Sequence, residues 1–253
     1  MKPRDCARMR ILAQTIAWTL GTIGIVALPT EARAVFSQFS AVGNSAGTPV
    51  TSTGSFTTSA GQVQLTLQNT TVHTDNAAQL LTGIRFTLSP TPITTATLTS
   101  ATAIPRVIAS NGTYVDGLSQ SILGTWQSGI SGGVYQLDFN PNAEFGIVGP
   151  ADGETASTAG LYNANGSILG NPGHNPFTAK SATFTSSSPE ITAGTTIASV
   201  SFIYNTGLSY IVSGTPTAVP SPAVPEPSTV GFGLAILGAC IARRRRKEYA
   251  PVA

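Results

Sequence analysis

The stretch Gln62–Asn69, QVQLTLQN, places Val63, Leu65 and Leu67 on one side and Gln62, Gln64, Thr66 and Gln68 on the other. A strict two-residue alternation of this kind is the mark of a strand with one face buried and one in water. The same period recurs in GIRFTLS, with Ile84, Phe86 and Leu88 in phase, and in VYQLDFN, with Tyr135, Leu137 and Phe139 in phase. IASVSFIYN and SYIVSG read as two strands closing around an Asn205-Thr206-Gly207 turn. TATLTS, RVIAS, EFGIVG and SATFTS are further strand candidates, punctuated by Gly, Pro, Asn and Asp as turns require. One short helix is expected, around Asp75 to Leu81, and residues 141–180 read as long loops. The pattern predicts an all-β fold, an antiparallel β-sandwich with jelly-roll or Ig-like connections. It shows no fixed repeat, which argues against a propeller or solenoid.

Only 9% of the 253 residues are charged, and the charges are segregated. Five of the 13 cations lie in the first 33 residues and five in the cluster Arg243, Arg244, Arg245, Arg246 and Lys247. Between Val35 and Pro225 the three cations Arg85, Arg106 and Lys180 face seven acids, a net charge of −4. A nucleic-acid partner needs clustered cations to displace counterions from phosphate, so this middle excludes one. The two cysteines, Cys6 and Cys240, both fall outside the middle, which therefore has no disulfide, thiol nucleophile or cysteine-bound metal.

The chain begins with a basic Met1–Arg10, a mostly apolar Ile11–Leu28 and then Ala32-Arg33-Ala34. Small residues at Ala32 and Ala34 stand where signal peptidase reads its substrate, so residues 1–34 are expected to be a signal peptide cleaved before Val35. The body is then assigned to 35–214. Five prolines in 215–228 make that segment an extended, semi-rigid spacer. Residues 229–242 are fourteen residues without a charge, about 21 Å long as a helix at ~1.5 Å per residue. That is short of the ~30 Å hydrocarbon core, yet flanking arginines can snorkel and the bilayer can thin. The basic 243–253 tail is expected to stay cytoplasmic.

The order Pro225-Glu226-Pro227, a short Gly-rich apolar run and the Arg243–Lys247 cluster resembles a PEP-CTERM sorting domain. The resemblance covers about a tenth of the chain and departs from the family in the extension Glu248–Ala253. It implies a bacterial protein recognised by a membrane-embedded exosortase, a cysteine transpeptidase-like enzyme. Processing near Pro-Glu-Pro would then release the body or transfer it to the surface. Such proteins often belong to cell envelopes or the polymer matrices of biofilms.

Other motifs carry less chemistry. GNSAG at Gly43–Gly47 fits the G-x-S-x-G elbow, but no helix follows Ser45, so a flexible segment is expected there. His73 and Asp75 in HTD, and His174 in GNPGHNPF, are the only histidine settings, and one histidine with one carboxylate does not make a metal or catalytic site. Asp152 and Glu154, with Asp138, Asn140, Asn142 and Glu144 near in sequence, are oxygen ligands of the type calcium takes. No loop has the D-x-D-x-D-G spacing, so no cofactor is assigned and a structural calcium stays a candidate at Asp152 and Glu154 alone. Trp126, Tyr135 and Tyr162 fit either a carbohydrate-binding face or a core. The sequons at Asn69, Asn111 and Asn165 are expected by chance in a chain so rich in Ser, Thr and Asn. The leading expectation is an exported, non-enzymatic surface or matrix protein whose processing partners are signal peptidase and an exosortase, with the membrane and extracellular polysaccharide as contacts. A carbohydrate-binding or calcium-dependent adhesion module is the alternative, and a secreted hydrolase the third.

Overall fold

The computed structural model describes residues 34–218, apart from 91–92, 141–143, 164–165 and 170–172. The signal segment up to Arg33, the sorting motif Pro225–Pro227, the apolar run and the cations 243–247 lie outside the described residues. Among the described residues no helix is long and apolar enough to cross a membrane, which says nothing of a β-barrel.

Among the described residues fourteen strands form one mixed sheet. They are β1 (Val35–Ser45), β2 (Thr48–Ser59), β3 (Gln62–Asn69), β4 (Leu81–Ser89), β5 (Thr97–Ile108), β6 (Tyr114–Asp116) and β7 (Gln120–Ser121), then β8 (Trp126–Ser131), β9 (Val134–Phe139), β10 (Ile147–Val148), β11 (Phe177–Ser187), β12 (Thr196–Tyr204), β13 (Tyr210–Ser213) and β14 (Thr215–Thr217). One arm runs β14-β1-β2-β3-β11-β5, with β6 and β7 on β5; the other runs β13-β12-β4-β9-β8. The two-residue β10 joins them, pairing with β4 and β11. Its pairing with β11 is parallel, a correction to the all-antiparallel expectation. The reason is the connection: 149–176 is long enough to carry the chain back to re-enter in the same direction, which a tight hairpin cannot do.

Apolar residues from both arms meet in one core. Phe56 of β2 meets Phe86 of β4 with ring centroids 5.1 Å apart. Trp126 of β8 lies 4.7 Å from Phe184 of β11, and the hydroxyls of Tyr135 and Ser186 are 2.6 Å apart. β3 keeps the alternation throughout, with Val63, Leu65 and Leu67 all buried. Burying a side chain of this size contributes roughly 1.5–3 kcal/mol, and there are many in the shared core. A second, smaller cluster of Leu80, Ile108, Val148, Ala151, Tyr162, Ile168 and Phe177 sits under the 149–168 loop.

Local chemistry explains the turns. Gly132 and Gly133, both at positive φ, make the two-residue link between β8 and β9. Two left-handed residues give the turn whose twist matches the flanking strands. Ala46 and Gly47 do the same between β1 and β2, with Ser45 opposite Thr48. The expectation of a flexible segment at GNSAG is therefore corrected: its first three residues end β1, and the last two form a tight turn into a strand. Alternation in that stretch is written in Ser, Thr and Gly, which carry little hydrophobic contrast. The expected helix near Asp75 is a single 3-10 turn, Ala77–Gln79, capped by the Asn76 side chain on the Ala78 amide. Residues 141–176 are irregular where described, save for β10 and an Asp152–Leu161 bridge. Thr215–Thr217, assigned by sequence to the spacer, pair with β1 as an edge strand; Pro216 is tolerated because β14 has a neighbour on one side only.

Candidate functional site

Three basic residues serve the whole described body, and the structure gives each a different environment. Arg106 in β5 is fully buried. Its Nε and Nη2 donate to the two carboxylate oxygens of Asp116 at 2.6 and 2.7 Å. Nη1 and Nη2 donate to Glu154 at 2.8 and 2.9 Å, and Nη1 also to the Tyr162 hydroxyl at 2.8 Å. The guanidinium carbon lies 3.8 Å over the Tyr114 ring. Antiparallel register does part of this, because Arg106 and Asp116 are direct partners of β5 and β6. Lys180 reaches Glu154 from β11 at 2.9 Å. It is sent there by a bulge, where the register slips between Thr178 and Ala182 and Lys180 takes φ +60. Two cations and two carboxylates leave the cluster neutral.

Electrostatics follows from that geometry. Burial works to raise the Glu154 carboxyl, but the bonds from Arg106, Lys180 and the Ala151 amide outweigh it and hold Glu154 at about 2. Burial works to lower Arg106, and its two carboxylates reverse this and raise it. Burial pushes the Tyr162 phenol up, and Tyr162 donates to the Gly149 carbonyl at 2.8 Å. All five guanidinium N–H groups have acceptors within the cluster. It ties β5, β6 and the 149–162 loop together.

The sequence-derived candidates are redistributed accordingly. Glu154 gives one oxygen to both Arg106 and Lys180 and the other to Arg106 and the Ala151 amide. Asp152 points instead to His73, Nδ1 to Oδ1 3.0 Å, both exposed. The pair proposed for calcium thus does not converge, and among the described residues no group of three His, Cys, Asp or Glu could hold a metal ion. His73 pairs with Asp152 and not with Asp75, its partner in HTD; His174 lies with its ring 6.2 Å from that of Phe139. Trp126, Tyr135 and Tyr162 are buried, so the aromatic carbohydrate face is corrected to a set of core residues. The Trp126 indole donates to the Phe145 carbonyl at 3.3 Å. Asn69 is buried too, its amide spanning the carbonyls of Gln79 and Ile147.

Arg85, half-buried on β4, borders an open groove of about 610 Å³ on the outer face of β4, β9 and β8. Its Nε donates to Gln136 Oε1 at 2.6 Å. The Gln136 amide donates in turn to Asp138, and Gln127 donates to the other Asp138 oxygen at 2.9 Å. Register aligns this row, since Arg85, Gln136 and Gly129 are successive partners across β4, β9 and β8. Asp138 is buried beside Gly83, where an added Cβ would come within 2.9 Å of its own Cβ. Sequence reasoning missed both arrangements. The sparseness of cations in the middle was the one signal that pointed at Arg85, Arg106 and Lys180 together. No protein-family model, curated protein or solved structure matches the chain.

Proposed function

We propose that the chain is an exported, non-enzymatic surface or matrix protein of a bacterium, held at the membrane by its tail and processed there by an exosortase. The observation that carries this reading is the order of Pro225-Glu226-Pro227, the apolar run 229–242 and the cations 243–247. The body lends support through its ends. β14 lies antiparallel beside β1, with Gln38 opposite Thr217, so the chain enters and leaves the sheet side by side at one end. That suits a domain exported as a loop between a signal peptide and a C-terminal hold. The two facing arms fit a β-sandwich, supported by the Phe56–Phe86 and Trp126–Phe184 contacts between them. The absence of cysteine from the body suits export without disulfide formation.

Replacing Glu226 with Ala, followed by cell fractionation in the native host, tests the motif. The variant should accumulate in the membrane fraction while the wild-type body reaches the surface or medium. An unchanged distribution contradicts recognition at Pro-Glu-Pro.

A further inference from the structure

We propose that the groove bordered by Arg85 binds an acidic oligosaccharide, one with a single carboxylate per sugar. Arg106 has two carboxylate partners and Lys180 has one; among the described residues Arg85 is the cation with none. Its Nε is fixed by Gln136 at 2.6 Å, which holds the guanidinium plane. Nη1 and Nη2 have no acceptor among the described residues, and Arg85 lines the groove. A planar fork with two parallel N–H donors matches a carboxylate in two-point contact.

The rest of the lining selects the class of ligand. Asp138 accepts one bond on each oxygen, from Gln127 and from Gln136, and makes no ion pair with Arg85. Gln127 and Ser131 are exposed at the groove, and amide and hydroxyl groups there pair with sugar hydroxyls. Val134 supplies a small apolar flank for the face of a ring, beside Ile130, which packs against the core. Among the lining residues Arg85 is the cation and Asp138 the acid, so the groove offers one two-point contact, to one carboxylate of the oligomer. The tryptophan and tyrosines singled out above are buried, so recognition here works through charge and hydrogen bonds without a stacking platform from them. The inference rests on the reading that this body works outside the cell, but its chemistry does not depend on how the tail is processed.

The test uses the full chain in mild detergent, titrated calorimetrically with an oligogalacturonate and with the same oligomer as its uncharged methyl ester. Binding of the acid at least tenfold tighter than of the ester, weakened by salt, is expected. Arg85→Gln should lose at least tenfold for the acid. Gly129→Leu should do the same with Arg85 intact, because a Cβ at Gly129 meets nothing within 4 Å and the added side chain fills open space. Equal affinity for acid and ester, no binding to either, or full binding by Arg85→Gln would each overturn the proposal. Failure of the sorting reading shows instead in the fractionation of Glu226→Ala, which this titration does not touch.

Discussion

Arg106 shows how a charge is kept inside a body almost without charges. Desolvating a guanidinium is costly, and the structure offsets that with two carboxylates, a phenol and an aromatic face. Removing one partner leaves the rest buried and undercompensated. Glu154→Gln is therefore expected to destabilise the protein by about 3 kcal/mol, read from chemical denaturation. The acid limb should report the same residue. Glu154 sits at about 2 in the folded protein against an ordinary 4.5, so its contribution is complete above pH 4.5. It is lost as the pH falls from there through about 2. Thermal melts between pH 5 and 2 should show the wild type losing its margin over Glu154→Gln; a constant margin would contradict the assignment.

Strand-level features explain which parts of the molecule were legible in advance. β3, β4, β9 and β12 announced themselves because large apolar and polar residues alternate in them. β2 did not, because in TPVTSTGSFTTS small hydroxyl residues occupy both faces; Ser52 and Thr58 are buried while Thr53 and Thr57 are not. Burial there is set by the neighbouring strands and not by residue type. The Arg106 cluster was illegible for a different reason. Its members come from β5, β6, β11 and the 149–162 loop, and the parallel β10–β11 entry that gathers them leaves no local mark. Pro105, which lacks an N–H, pairs with Thr178 at the edge of the bulge that presents Lys180.

That bulge makes a strand-level prediction. Lys180→Gly and Lys180→Ala both delete the ion pair to Glu154, so their difference isolates the backbone at φ +60. Gly should be the more stable by about 1 kcal/mol, since a Cβ is penalised in the left-handed region. Equal melting points would mean the bulge relaxes. In the core, Phe56→Ala should cost about 3–5 kcal/mol, because Phe56 packs on both Phe39 and Phe86. A loss below 1 kcal/mol by denaturation would mean that the arms do not depend on that contact.

At the scale of the molecule, the body is a mildly acidic sheet structure whose first and last strands lie side by side. Its three cations divide between internal work, at Arg106 and Lys180, and the outer groove, at Arg85. The ten remaining cations lie in the end segments, where the sorting account gives them a topological task. A sorting tail must be cut, and by one kind of enzyme. Intact mass of the protein from its native host, with and without the exosortase, measures this directly. A chain ending near Pro225 to Ser228 only when the enzyme is present is the predicted result. A chain that keeps Arg243 to Arg246 in both strains would contradict it and leave the tail a plain anchor.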